Sequence, residues 1–374
     1  MARAGLGPGW RCAFANDFDP MKAAAYADNW GRDDLLCADV NALSTADLPG
    51  CADLAWASFP CQDLSLAGNT AGIGTPEEQT RSGSFWAFWR LMVGLAEHGR
   101  APALIVLENV YGVLTASDGR DFAAIMRSLS LEGYRFGAVL LDAVHFVPQS
   151  RPRIFVVAVR GDLTVPTSLV ATAPSAAWHP PAMVAAVARL AEPDLERWMW
   201  LAPPSPPPRT VTLADLIEDN PAGVVWHSPV ETARLVSMMS DIGLARLAMM
   251  KARGRRVVGT IYKRTRVDAT GRRVQRAELR DDQIAGCLRT PGGGSSRQTV
   301  VIVDGEHVRT RLLAPREAAR LMGLPDSYRL PPRYNDAYHV AGDGLAVPAV
   351  RFLAATLLEP ILAANTVPNS LAAE

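Results

Sequence analysis

Along residues 11–160, short runs of apolar, β-prone residues alternate with stretches whose apolar positions recur every three or four residues. The runs fall at 11–15, 54–58, 104–107, 138–141 and 154–159, and the helical stretches at 20–30, 84–97 and 122–131. Alternation between these two periods marks strands joined by crossover helices. It predicts an α/β fold built on a doubly wound, mostly parallel sheet. In such sheets ligands bind beyond the carboxyl ends of the strands, so chemistry is to be sought in the loops that follow them.

The pattern changes after residue 163. Residues 164–210 are rich in Pro and Ala and end in Ala202-Pro-Pro-Ser-Pro-Pro-Pro208, which can continue neither a helix nor a central strand. This segment reads as the entry to a second domain. A basic stretch and a glycine-rich turn at 290–296 follow, then a helical pattern at 315–322 and a final amphipathic helix near 348–363. The expected division is 1–165 for a first domain, 166–305 for a smaller one, and 306–374 for a return to the first. No internal repeat is visible.

Composition bounds the reading without directing it. The chain has 374 residues, 49% hydrophobic and 20% charged, with a formal net charge of zero, so any affinity for a polyanion must come from local patches. One such patch runs from Lys251 to Arg280, where Lys263, Arg264, Arg266, Arg272, Arg273 and Arg276 are opposed only by Asp268 and Glu278. Such density is the footprint of a phosphate-contacting surface, although a solvated face would read the same way. No basic, apolar leader opens the chain, and no apolar run reaches the roughly 18 residues of a membrane span. The five cysteines are scattered and form no CxxC pair. That argues against a disulfide framework or a metal site and fits a reduced cytoplasm.

Three motifs sit at strand ends. In Ala57-Ser-Phe-Pro-Cys-Gln-Asp-Leu-Ser65, Pro60 stops a strand and delivers Cys61 to the loop beyond it. In Ala103-Leu-Ile-Val-Leu-Glu-Asn-Val110, Glu108 ends a buried apolar run, where a carboxylate is either structural or at work on a ligand. In Val147-Pro-Gln-Ser-Arg-Pro-Arg-Ile-Phe155, Arg151 and Arg153 are two residues apart and share one face of a strand. Phe59-Pro-Cys-Gln62, Glu108-Asn-Val110 and Gln149-x-Arg-x-Arg153, in this order and spacing, resemble the C5-cytosine-specific DNA methyltransferases of bacterial or phage type. Leu313-Ala-Pro-Arg-Glu-Ala-Ala-Arg-Leu-Met-Gly-Leu-Pro-Asp-Ser-Tyr328 is similar to that family's late helix and turn. The resemblance covers about 1–160 and 285–365, and the middle is where the family reads its target.

The resemblance implies a Rossmann-like, S-adenosylmethionine-dependent catalytic domain beside a target-recognition domain. It makes Cys61 the nucleophile that adds to carbon 6 of a flipped-out cytosine, because carbon 5 is otherwise too weak to take a methyl group. A thiol with an ordinary pKa of about 8.5 is partly thiolate at neutral pH and strongly nucleophilic. Glu108 is expected to serve N3, carrying a proton that burial favours. Arg153 is expected at the cytosine O2, with Arg151 beside it holding the site. Flipping the base out of a duplex costs a few kcal/mol. Ser65 and Arg81 match the polar ends of the loop that closes on that base.

For S-adenosyl-L-methionine the matching positions are Asp17 at the ribose, Phe18 stacking on adenine, Asp39 and Val40 at the adenine edge, and Pro60. Gly342, Asp343 and Leu345 match the late loop near the cofactor. For double-stranded DNA, the partner that the resemblance implies, they are Gln149, Arg289, Arg297 and Gln298 with Ser65 and Arg81. A cognate restriction endonuclease is a further partner of many such enzymes. Two departures stand out. The family opens with a strand and a Phe-x-Gly-x-Gly loop, whereas this sequence starts at Met1-Ala-Arg-Ala-Gly-Leu-Gly. The first strand is therefore expected to be absent, with a natural start roughly 10–20 residues upstream, room for one strand and a loop. Asp343 and Gly344 also stand where the family usually has an amide and a hydroxyl. A tRNA methyltransferase of the same fold and a non-catalytic DNA-binding relative are the alternatives. Pro60-Cys-Gln62 and the large middle segment favour DNA, and intact Cys61, Glu108, Arg151 and Arg153 favour catalysis.

Overall fold

The structure, a computed structural model, describes residues 1–59, 84–268, 270–289 and 297–366. After a short helix α1 (Ala2–Leu6), strand β1 (Ala15–Asp17) leads into α2 (Pro20–Trp30) and returns as β2 (Leu35–Cys37), parallel to β1. The start of α2 is set locally: the Asp19 carboxylate accepts from Met21 N at 2.9 Å, and Pro20 occupies the first turn, where its missing N–H costs nothing. Gly31, at φ 86°, ends it.

The main sheet holds β3 (Leu54–Ser58), β4 (Leu104–Val110), β5 (Tyr134–Asp142) and β6 (Pro152–Arg160) in the order β3-β4-β6-β5. β3 and β4 are parallel, while β6 runs antiparallel to both β4 and β5. The sheet is thus mixed where a mostly parallel one is expected. The connection 143–151 is too short for a crossover, which takes a dozen or more residues, so β5 and β6 must reverse. Among the described residues, β1 and β2 form a sheet of their own.

Alternate residues of β4 serve opposite faces. Ile105 and Leu107 pack with Phe85, Trp89 and Met92 of α3 (Ser84–Glu97) and Phe122, Ile125 and Met126 of α4 (Arg120–Leu131). Leu104 and Val106 pack on the other face with Trp178, Leu201, Leu353, Leu357 and Ile361. Leu104, Ile105 and Val106 are each 0% exposed, and burying each side chain contributes roughly 1.5–3 kcal/mol. The helical run Tyr334–Ala363 is long and apolar enough by composition to cross a membrane. Leu353, Leu357, Leu358 and Ile361 nevertheless sit at 0% exposure in this core.

The same two cores move the domain boundary expected at 165/166. The helix Pro181–Val187 contributes Met183 and Val187 to the first core. Strands β7 (Val170–Ala171) and β8 (Trp200–Leu201) lie beside the second. Gly137 makes this possible, since a Cβ there would lie 2.2 Å from Met199 O, and Met199 N donates to Phe136 O at 2.7 Å. The second unit is an antiparallel sheet, β10-β9-β11-β12, of β9 (Val257–Val267), β10 (Arg273–Arg280), β11 (Thr299–Asp304) and β12 (His307–Leu312). The expected boundary at 305/306 falls in the turn of the β11–β12 hairpin and would split it. From β12 the chain enters the helix Pro315–Leu321 through a fully buried ion pair, Arg311 Nη2 to Glu317 Oε1 at 2.6 Å, both 0% exposed.

Candidate active site

The parallel register sets Ser58 of β3 opposite Glu108 of β4. Asn109 Nδ2 donates to Phe59 O at 3.3 Å, which fixes where the chain leaves β3 two residues before Cys61. Cys61, Pro60, Ser65 and Arg81 lie outside the described residues.

Glu108 opposes Phe155 across the β4–β6 ladder, so Arg153 is its diagonal neighbour on the same face. Arg153 Nε meets Glu108 Oε1 at 3.1 Å, with the two side chains 15% and 9% exposed. Residues that the sequence separates by one helix and one strand are thereby brought together at the carboxyl end of β4.

Arg151 lies just ahead of β6 and is 3% exposed. Its Nη1 donates to Leu288 O at 3.1 Å and reaches Cys287 Sγ at 3.4 Å; its Nη2 donates to Gly342 O at 2.8 Å and Gly344 O at 2.7 Å. Burial, with Arg153 nearby, pushes this guanidinium below its ordinary value. Arg151 therefore ties three segments to the strand that carries Arg153. Sequence reasoning missed Cys287. Burial alone would push its thiol up, but Arg151, Arg153 and Arg289 together hold it below the usual thiol range. Its place beside the arginines depends on a contact between residues 136 positions apart, for which the sequence carries no signal.

A second cluster lies beyond β1. Asp17 ends that strand, and Phe18 follows it with 70% of its surface exposed. Burial pushes the Asp17 carboxyl above its ordinary value, against the pull of the Asp19 amide and Lys22. Lys22 Nζ pairs with Asp343 Oδ2 at 2.8 Å. Asp39 is exposed and accepts from Asn41 N at 2.9 Å, and Val40 is half-buried beside the first core. Gly342 and Gly344 flank Asp343 and spend their carbonyls on Arg151, which links this cluster to Glu108–Arg153. Leu345 is 6% exposed, in the core beneath. A Cβ on Gly344 would meet Met1 Sδ at 1.9 Å and Val340 O at 2.9 Å, so a side chain there would require the Met1 thioether to move aside. Burial pushes the Met1 α-amine down to about 6, with Asp17 pulling the other way.

Two expected DNA contacts are corrected. Gln149 is 0% exposed: its Nε2 donates to Leu321 O at 2.7 Å and its Oε1 accepts from Leu288 N at 3.1 Å. Gln298 is also 0% exposed, and its amide, oriented to satisfy both ends, bridges Gly286, Tyr262 and Thr260. Both are consumed by buried backbone and core groups that would otherwise be unpaired. Arg289 is exposed, whereas Arg297 lies over the Tyr334 ring at 5.3 Å and bonds Asn335. Among the described residues no group of three or more His, Cys, Asp or Glu side chains could hold a metal ion.

A profile of the C-5 cytosine-specific DNA methylases matches residues 2–359. The type II methyltransferase M.HhaI of Haemophilus parahaemolyticus is 24% identical over 349 residues, 92% of this chain and 87% of that protein. M.HpaII of Haemophilus parainfluenzae is 26% identical over 371 residues, 94% and 84%. Among solved structures, the Dnmt2 methyltransferase of S. pombe matches with TM-score 0.53 and 17% identity, covering 94% of this chain and 91% of that one. EhMeth of Entamoeba histolytica matches with TM-score 0.55 and 12% identity, covering 95% and 90%. At these identities the structures speak for the fold, and the profile, spanning nearly every residue, for the lineage: the chain belongs to the C-5 cytosine-specific DNA methylase family.

Proposed function

We propose that this protein transfers a methyl group from S-adenosylmethionine to carbon 5 of a flipped-out cytosine in double-stranded DNA, through a covalent bond to Cys61. The observation that carries the proposal is the Glu108–Arg153 pair at the carboxyl end of β4, next to the strand that runs on to Cys61. Addition of the Cys61 thiolate to carbon 6 drives charge onto N3 and O2. Glu108 gives N3 its proton and Arg153 stabilises the charge on O2 in a largely dry site. S-adenosylmethionine, when bound, supplies the electrophilic methyl group. Loss of the carbon-5 proton then expels the thiolate and restores the ring.

The residues beyond β1 fit that cofactor. The exposed Phe18 ring offers a stacking face for adenine, and a carboxylate in the position of Asp17 suits a ribose hydroxyl pair. Asp39 and Val40 would meet the adenine edge, with Pro60, Gly342, Asp343 and Leu345 toward the methionine end. On the DNA side, Ser65 and Arg81 would bound the closing loop, and Arg289 and Arg297 would flank the glycine turn. The β9–β10 hairpin supports a phosphate contact. Its Lys263, Arg264 and Arg266 are exposed, and Arg264 stands directly opposite Arg276. Arg264 and Arg266 share the Glu278 carboxylate, at 3.3 and 2.5 Å, which leaves this face of the hairpin with an excess of positive charge for a polyanion to meet. A bacterial cytosol fits the proposed substrate, and a cognate endonuclease fits the type II relatives.

Transfer of labelled methyl to duplex DNA and to tRNA, in parallel, tests the proposal. Label in DNA, abolished by Cys61→Ser, is expected. Label in tRNA alone would move the substrate to RNA, and turnover unchanged in Cys61→Ser would overturn the mechanism.

A further inference from the structure

Residues 285–288, which run on through Arg289 to the glycine-rich stretch 290–296, are held from two sides. Their ends are tied to the segment that carries Gln149 and Arg151. Ala285 N donates to Pro148 O at 2.7 Å, and Ser150 N donates to Ala285 O at 2.9 Å. Leu288 N donates to Gln149 Oε1 and Arg151 Nη1 to Leu288 O, both at 3.1 Å. Their middle is tied to the antiparallel sheet instead. Gln298, just ahead of β11, bridges Gly286 N and O at 3.0 and 3.2 Å. Tyr262 of β9 donates its hydroxyl to Cys287 O at 2.6 Å. Its ring also lies against the segment, since a Cβ on Gly286 would be 2.5 Å from Tyr262 Cε2. Tyr262 is 8% exposed, and burial pushes its phenol well above the ordinary value, so the hydroxyl keeps its proton and stays a donor. On its other side, Cys287 meets the arginines of the site: Arg151 Nη1 is 3.4 Å from its Sγ, and Arg153 acts on the same thiol by a hydrogen bond and by its charge.

Resting on the methyltransferase reading, we propose that Tyr262 is a positioning residue for methyl transfer: from β9 it fixes Cys287 against Arg151 and Arg153, and so sets how Arg153 meets the cytosine O2. Stabilisation of a developing charge depends on donors held in place beforehand, and a small displacement of the donor is felt in the rate. The antiparallel sheet then takes part in the chemistry as well as in holding DNA. Loss of the phenol leaves Gln298 on Gly286 and the cations of the β9–β10 hairpin where they are, so DNA should still bind. A brace that only joined the two units would lose binding together with rate.

Steady-state transfer of labelled methyl to mixed-sequence duplex DNA separates these roles, with S-adenosylhomocysteine titrated calorimetrically into the same preparations to count the folded sites. Tyr262→Phe keeps the ring and removes only the hydroxyl. It should lower kcat by about 10- to 100-fold, with KM for DNA and affinity for S-adenosylhomocysteine unchanged. Gly286→Ala keeps the phenol but sets a methyl group against its ring, so it should displace the same segment and give the same split. Full kcat in either variant, or a rise in KM for DNA as large as the fall in kcat, would overturn the proposal. Absence of label in DNA with the unaltered protein would instead sink the methyltransferase reading, and the role of Tyr262 with it.

Discussion

Arg151 is the residue whose loss should be felt farthest from where it sits. The residue is 3% exposed, and its guanidinium supplies hydrogen bonds to the carbonyls of Leu288, Gly342 and Gly344. In Arg151→Met these acceptors lose their donor, and each costs about 1–3 kcal/mol if left unsatisfied. Relief from burying a cation offsets part of the sum, leaving an expected loss of about 3–5 kcal/mol. Arg151→Lys is the sharper variant. Nη1 faces residues 287–288 while Nη2 faces 342–344. A single ammonium cannot serve both sides, so about 1.5–3 kcal/mol should go with whichever side is lost. Urea unfolding followed by tryptophan fluorescence gives the stability change. Titration with S-adenosylhomocysteine and with duplex DNA should show both affinities reduced in one variant, because one side chain holds both residues 342–344 and residues 287–288. Arg151→Lys within about 0.5 kcal/mol of the unaltered protein, with both ligands bound normally, would refute this account.

Burial holds the Asp17 carboxyl above its ordinary value of 3.8, so its ionised form costs stability that appears as pH rises from that value through the folded-state value. Asp17→Asn should therefore gain thermal stability over the unaltered protein along that rise while losing affinity for S-adenosylhomocysteine; a variant less stable at neutral pH would count against the reading. Arg311→Met leaves Glu317 buried without its cation and should cost about 3–5 kcal/mol in chemical denaturation, most of it recovered by adding Glu317→Gln. On the β9–β10 hairpin, joint replacement of Arg264 and Arg276 by Ala should lower the slope of log K for duplex DNA against log salt by about 0.9 for every phosphate no longer neutralised. An unchanged slope would remove the hairpin from the DNA interface.

Much of the candidate site was legible because its residues sit at strand ends. An acid after the apolar run 104–107 and arginines leading into 154–159 had to lie at strand ends, and the ladder then made Glu108 and Arg153 diagonal neighbours. The direction of β6 was less legible, since apolar runs carry no polarity and only the short connection 143–151 decides it. The boundary at 165/166 was misplaced because Pro- and Ala-rich composition looks alike in a linker and in a strap. Only the bare backbone of Gly137 lets residues 197–201 lie against β5. Gln149 and Gln298 were misread for a related reason. Beside glycine-rich segments an amide can face solvent or satisfy buried backbone, and sequence does not separate the two.

The shortness of the β1–β2 ladder bears on how the site responds to occupancy. The β1–β2 ladder is three residue pairs long and, among the described residues, no strand of the main sheet pairs with it. Side chains such as Phe14, Ala38 and Val40, packed against the first core, hold it in place. A short ladder anchored this way opens at a far lower free energy than the long β4–β6 and β5–β6 ladders. Because it carries Asp17 and Phe18, a nucleoside that settles there gives up part of its binding free energy to hold this ladder closed, and its occupancy in turn steadies the ladder.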